Sequence, residues 1–445
     1  MHTKDTVSSI SPAATANAAG DSRTLYTKVA LRVLPILVAS YFFAYLDRVN
    51  VGLAKLQMLD DLKLSEAAYG FGAGIFFLGY LLFEVPSNML MVKIGAKKTL
   101  CRIMILWGFI SMGFAFVQTP TQFYVLRFLL GVAEAGFYPG IILYLTFWFP
   151  SNVRARMTAL FYTAVPISGV LGGPVSGLIL ESMKHTGGLA GWQWLFLLEG
   201  APSVLIGLSL PWLLNNKPSE ARWLSASEKD AIAADLAAEN DRKMAAVNGD
   251  TSLMATIKNL RVWHLVLICL GQSFLIYGIS FWLPTIIKDL GISNPLNLGL
   301  VTAIPYAAGA IALNVVGRSS DRKLERRWHT ALPFLCAAVG LALSVPLKSS
   351  PTACIVALTF ATASAYAAAT MFWTLPSLFL AGMGMAAAIG LINSLGGLGG
   401  FFSPYIVGVI KTSTGSTEGG VLFIAAIAVI AGLLALALPR KLSNQ

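Results

Sequence analysis

Six charged side chains interrupt runs that are otherwise apolar: Asp47, Arg48, Glu84, Arg127, Glu134 and Glu199. Insertion scales put the cost of such a group at the centre of a bilayer at about 2.5 to 3.5 kcal/mol, so each is a functional candidate by default. Two are guanidinium groups, whose planar fork of donors matches a carboxylate. Two such forks in a site walled by aromatic rings would hold a small organic anion. The other four are carboxylates, and fully ionised they outnumber the arginines, an excess that a low-dielectric surrounding opposes. Proton uptake relieves it. The set therefore suits coupling of protons to an anion: Asp47 and Glu134 take up protons from outside, which frees Arg48 and Arg127 from internal pairs to receive a substrate carboxylate. A static ion-pair network that only fixes helix packing is the competing reading.

The spacing supports a shared cavity. In "RFLLGVAEAGFYPG", Arg127, Gly131, Glu134 and Tyr138 recur at steps of four, three and four, one stripe of a helix. Tyr41, Tyr45 and Arg48 form a second stripe, with Asp47 about 100° round the helix from Arg48. Both arginines are thus expected to face one cavity. Tyr80 lies one turn before Glu84 and adds a hydroxyl. Glu84, in "LFEVPSN", suits a gate or a structural pair, and Glu199, in "WLFLLEGAP", a structural one. The second half carries no charge within its apolar runs and offers neutral groups instead, among them Trp282 and Asn314. Gln272, Tyr277, Trp373 and Asn393 are expected to complete the substrate site with hydrogen bonds and an apolar wall.

Elements able to position these groups follow from composition. The chain has 445 residues, 56% hydrophobic and 12% charged, against about 25% charged in a soluble domain. Twelve windows of about 20 apolar residues, enough to cross a bilayer, fall near 33–56, 68–92, 101–118, 121–149, 157–181, 192–214, 262–287, 296–317, 330–347, 351–379, 384–410 and 419–439. The expected fold is an all-α membrane protein of twelve helices. Its parts are an N-terminal tail (1–30), a six-helix bundle (31–214), a charged linker (215–261) with a surface helix from about Ser225 to Lys243, a second six-helix bundle (262–439) and a short C-terminal tail (440–445).

The formal charge of +11 is topological. In alternate loops 24 Lys and Arg collect on the side of the tails and linker, while the other side has six: Lys55, Lys63, Lys184, Lys288, Lys348 and Lys411. By the positive-inside rule the tails and linker are expected to be cytoplasmic, and a nucleic-acid partner is not expected. No basic, apolar and cleavage-site sequence of a signal peptide opens the chain. Four cysteines and four histidines are scattered without ligand spacing, so neither a disulfide framework nor a metal site is expected.

Six spans on each side of a linker point to two pseudo-equivalent bundles with substrate held between them. Small residues at four-residue spacing, Gly169, Gly173 and Gly177 in the first half and Gly396, Gly400, Pro404 and Gly408 in the second, let helices approach closely. The loop "GRSSDRKLERR", with Asp321 and Arg322 as gate or structural residues, has a counterpart in "NMLMVKIGAKK" that keeps the Gly and the Lys pair but has Val92 where the Asp would stand.

Together "YLDRVNVG", "EVPSN", "RFLLGVAEAGFYPG", "WFPSNVRAR" and "GWQWLFLLEG" resemble bacterial members of the anion:cation symporter family of the major facilitator superfamily. The resemblance implies the major facilitator fold in the bacterial inner membrane and proton-coupled uptake of organic anions such as tartrate, sugar acids or aromatic acids. It also implies that groups matching Asp47 and Glu134 couple protons, and that those matching Tyr45, Arg48, Tyr80, Arg127, Trp373 and Asn393 bind substrate. No cofactor is implied. The expected partners are the anion, protons and the lipid bilayer, with the chain acting as a monomer. Two other readings stay open: a proton-driven exporter, which the Gly-Pro pattern near Pro174 also fits, and a transporter-like nutrient receptor. An enzyme is not expected, since no nucleophile, base and orienting group converge.

Overall fold

In lipid a chain must satisfy its own backbone donors and acceptors, which restricts apolar runs of this length to helices. The computed structural model describes residues 12–245, 253–376 and 384–439, and every regular element among them is helical. The first half comprises α1 (Pro12–Val49), α2 (Val51–Leu62), α3 (Glu66–Ile94), α4 (Ala96–Gly113), α5 (Pro120–Glu134), α6 (Phe137–Thr146), α7 (Ser151–Tyr162), α8 (Ala164–Ser182) and α9 (Gly191–Leu213). Two helices follow in the linker, α10 (Ala226–Ala245) and α11 (Leu253–Lys258). The second half holds α12 (Leu260–Asp289), α13 (Pro295–Lys323), α14 (Arg327–Ser344), α15 (Pro351–Phe372), α16 (Gly384–Gly397), α17 (Gly399–Thr414) and α18 (Glu418–Leu436).

Among the described residues, ten helical segments are long and apolar enough to cross a membrane. The other two expected spans fall on α14 and on the broken pair α16 and α17. Local signals set several boundaries. The Ser65 side chain accepts from Ala68 N–H at the start of α3, and Thr119 with Gln122 forms a capping box ahead of Pro120 on α5. At Gly136 the backbone takes φ +82°, and a Cβ there would stand 2.6 Å from Ser87 Cβ. Only glycine fits. This break ends α5 just after Glu134 and redirects α6, which begins one residue before Tyr138.

The tail expected over 1–30 is corrected from Pro12 on: the chain is helical there, and the first membrane segment begins at Thr24. Its Ala-rich sequence favours helix, and its base is tied down. Tyr26 Oη donates to Asp235 at 2.7 Å and Lys28 pairs with Glu228 at 2.7 Å, both on α10. Arg154 pairs with Glu239 at 3.0 Å, and Trp148 stacks on Trp223 with ring centroids 5.7 Å apart. The linker helix is therefore fastened under the first bundle. The C-terminal tail expected over 440–445 lies outside the described residues.

Where the bundles meet, small residues set the distance. Across the seam α3 packs on α17 and α8 on α13. A Cβ on Gly74 would lie 2.5 Å from the Phe401 carbonyl, and one on Gly173 would lie 2.6 Å from that of Gly299. Of the glycine stripes of the sequence, Gly169, Gly173, Gly177, Gly400 and Gly408 lie on the seam, whereas Gly396 packs against Cys269 of its own bundle.

Candidate functional site

Helix α1 runs from the linker side of the molecule towards the opposite, far side and carries the Tyr41, Tyr45, Arg48 stripe along the seam. That stripe forms one wall of a cavity of about 130 Å³ between the bundles. Phe76, Tyr80 and Glu84 of α3, Tyr138 of α6 and Tyr162 of α7 also belong to the first-half wall. The second half contributes Gln272 and Tyr277 from α12, Tyr366 from α15, then Trp373, which follows α15, and Asn393 from α16. Seven of the eight expected substrate contacts therefore line one space. The exception is Arg127.

Arg48 is the cavity's cation. Its guanidinium donates from Nη1 to Tyr277 Oη across the seam at 3.2 Å and from Nη2 to the Glu134 carboxylate. Its Nε has no hydrogen-bond partner among the described residues. Rings surround it, with the Phe76 centroid at 5.2 Å and Tyr80 at 5.6 Å from Cζ. Next to it Tyr45 Oη lies 3.4 Å from Tyr366 Oη, a second contact between the halves.

Arg127 is only 1% exposed and does not line the cavity. It donates to the carbonyls of Gly72 and Ala73 at 3.3 and 3.0 Å, while its Nη1 has no partner among the described residues. Its Cζ is also 5.2 Å from the Phe76 centroid. The same ring thus contacts both guanidinium groups, and Arg127 is not brought into the cavity with Arg48. Asp47 also points elsewhere. It accepts from Trp107 Nε1 at 2.6 Å, Ser111 Oγ at 3.0 Å and Ser203 Oγ at 3.1 Å, inside the first bundle. Glu199 is held similarly, by Ser176 Oγ at 2.6 Å and Asn50 Nδ2 at 3.0 Å.

At the linker-side end, Asn393 Nδ2 donates to Glu84 across the seam at 3.0 Å. Asp321 pairs with Arg326 at 2.6 Å, and Arg322 is exposed at the end of α13. Asn314 bonds within its own helix, to the Ala310 carbonyl.

The far side is closed by charged groups that the sequence did not offer as site candidates, gathered around Trp282. Lys55, assigned above to a loop, is 1% exposed inside α2. It pairs with Glu66 at 2.6 Å, donates to Thr285 at 3.0 Å and lies 3.6 Å from the centroid of the Trp282 ring. Lys411 of α17 reaches Glu66 at 3.0 Å and Asp289 at 3.7 Å. Lys55 and Glu66 belong to the first half; Thr285, Trp282, Asp289 and Lys411 belong to the second. An ionic network therefore bolts the halves together at the far end. At the other end, Trp373 at the cavity wall is 36% exposed. In sequence a lone Lys beside a predicted loop gave no sign of this burial; Tyr41 and Tyr138, by contrast, were visible as members of the two stripes.

Comparison with known proteins agrees with this architecture. The model of the Major Facilitator Superfamily matches residues 37–404. The chain is 45% identical over 413 residues to a protein of Agrobacterium vitis named "Putative tartrate transporter", covering 93% of this chain and 94% of that one. It is 40% identical to a quinolone resistance transporter of Acinetobacter baumannii, over 94% and 95% of the two chains. Identity to the inner membrane transport protein RhmT of Escherichia coli is 39%, over 91% and 92%. The crystal structure of a D-xylose-proton symporter superposes with a TM-score of 0.73 at 16% identity, covering 93% of this chain and 98% of that one, a likeness of fold alone. On the seam cavity, the two bundles and these matches, the chain belongs to the Major Facilitator Superfamily: it is a multi-pass membrane transporter and not an enzyme.

Proposed function

We propose that this transporter takes up a small organic carboxylate together with protons, by alternating access. The observation that carries the reading is the Arg48–Glu134 pair on the cavity wall. An ionised Glu134 occupies the guanidinium fork, and a protonated one gives it up, so a proton and a substrate carboxylate enter together. Asp47 serves as a second proton acceptor, because all three of its partners are neutral donors and none supplies a compensating charge. Inward proton movement provides about 2.3 kcal/mol per charge per 100 mV. The relative named for tartrate supports a carboxylate as cargo. The basic excess on the linker side and the inner membrane relative support an inner-membrane location with both termini cytoplasmic. One chain supplies both walls of the cavity, which suits a monomer.

A second reading, proton-driven export, is favoured by the relative named for quinolone resistance. Proteoliposomes with an imposed inward pH gradient separate the two. Labelled carboxylates (tartrate, gluconate, benzoate) are expected to accumulate inside, and Glu134→Gln is expected to abolish accumulation while sparing exchange of anion for anion. Gradient-driven extrusion of the label would refute uptake and select the exporter.

A further inference from the structure

We infer that a groove on the outer face of the first bundle holds one phospholipid of the linker-side leaflet, with a net negative headgroup at Arg102 and an acyl chain below it. The groove runs between α3, α4 and α5, has a volume of about 350 Å³ and shares no lining residue with the seam cavity. It faces outward: Phe83, Leu106 and Leu129 on its wall are 41 to 49% exposed. In a chain that spans a bilayer, apolar surface of this kind meets acyl chains. Among the described residues Arg102 is the one charged side chain on its wall.

The residue spacing repeats the chemistry of such a lipid. On α4, Lys98, Arg102, Leu106 and Ile110 recur at steps of four, one stripe with two basic members followed by two apolar ones. On α3, Phe83 and Leu90 line the groove, and Lys93 follows three residues later at the helix end. Helix α3 ends and α4 begins on the linker side, so both stripes turn from apolar to basic towards that face. Helical side chains lean towards the N-terminus of their helix, which on α4 tips Arg102 the same way. Among the described residues its guanidinium has one hydrogen-bond partner, Ser87 Oγ, which accepts from Nη2 at 3.1 Å, and its Nε is buried without one. Arg102, Lys93 and Lys98 form no ion pair among the described residues. A guanidinium beside hydrocarbon without a counter-charge is costly, and a phosphate supplies a charged acceptor that fits its fork. A zwitterionic headgroup would bring its own ammonium against Lys93 and Lys98, so net negative charge is favoured. From Arg102 to Ile110 the stripe rises about 12 Å, most of the roughly 15 Å of hydrocarbon in one leaflet. A free phosphate would leave that length unfilled.

The test is native mass spectrometry of the purified full-length protein in detergent, titrated with dioleoyl phosphatidylglycerol or with dioleoyl phosphatidylethanolamine, which has the same chains. Phosphatidylglycerol is expected to fill one site about fivefold more tightly or better, the worth of one basic side chain near the headgroups. Lys98→Gln is expected to weaken it by about fivefold on the same ground, and Arg102→Gln by about tenfold or more, since a charge-assisted hydrogen bond goes as well. Leu106→Trp narrows the groove without changing its charge and should also weaken binding by about fivefold or more, whereas Lys258→Gln, exposed in the linker and outside the groove, should leave it unchanged. The unfolding temperature of each variant in lipid-free detergent separates loss of the site from loss of fold. Equal binding of the two lipids overturns the inference, as does phosphatidylglycerol affinity within twofold in folded Arg102→Gln or in folded Leu106→Trp. Displacement of the lipid by millimolar inorganic phosphate overturns it too, by making the site one for a free anion. If Arg102→Gln does not fold, the comparison of lipids and Leu106→Trp still decide.

Discussion

Replacing Glu66 by Gln is expected to open the far face. Lys55 is 1% exposed, its carboxylate partner is Glu66 at 2.6 Å, and its remaining contacts are the Thr285 hydroxyl and the rings of Trp282 and Tyr69. Removing one member of a buried pair costs about 3 to 5 kcal/mol, because the other charge stays behind uncompensated. The Trp282 face offsets about 1 to 2 kcal/mol of that. The cost applies only while the bundles are closed there, since opening lets water reach Lys55. A net loss of about 2 to 3 kcal/mol at 1.4 kcal/mol per decade shifts the closed-to-open ratio by about 30- to 100-fold. Lys411→Ala removes the cross-seam pair with Glu66 but leaves Lys55 compensated, so about fivefold is expected. Spin labels at Lys184 and Ser350, in a variant without the four native cysteines, report the separation of the bundles by electron–electron resonance. Glu66→Gln should populate the longer distance, and Lys55→Met added to it should restore the short one. A distance distribution unchanged by Glu66→Gln would refute the latch; an opening that Lys55→Met fails to reverse would refute its electrostatic cause.

Two further outcomes follow from the same geometry. Gly408→Ala would drive a Cβ into the backbone of Glu66, so the far face should again open, by about 1 to 3 kcal/mol of overpacking, read by the same label pair. Arg127→Ala should abolish transport while carboxylate affinity in the far-closed state stays within threefold, because Arg127 does not line the cavity; binding and flux measured on one preparation check this.

The architecture was legible because its causes are local or periodic. Apolar runs marked the spans, charge counts separated the two faces, and glycine spacing marked close helix approaches, most of which fall on the seam. The Tyr41, Tyr45, Arg48 stripe forms a cavity wall as its period implied. Partners were not legible, since they come from distant parts of the chain. Asp47 meets Trp107 and Ser203 at separations of 60 and 156 residues, and nothing near Asp47 announces them. Lys55 escaped for a related reason. A Lys near a span end is normally solvated, and only a carboxylate and a Trp face arriving from α3 and α12 make its burial tolerable.

Arg127 is the instructive case, because its placement could have been reasoned out. A stripe gives direction around a helix, and in direction Arg127 and Glu134 do agree. It says nothing of height. Arg127 precedes Glu134 by seven residues, about 10 Å of rise on α5, and α5 descends from the far side. A guanidinium level with Glu134 is therefore the one that α1 supplies, Arg48. Arg127 must lie nearer the far face, and it does, against Phe281 and behind Phe76, with helix carbonyls for company. Two arginines on seam-facing stripes thus occupy different levels, and a small carboxylate paired with the lower one has no reach to the upper while the far face is shut.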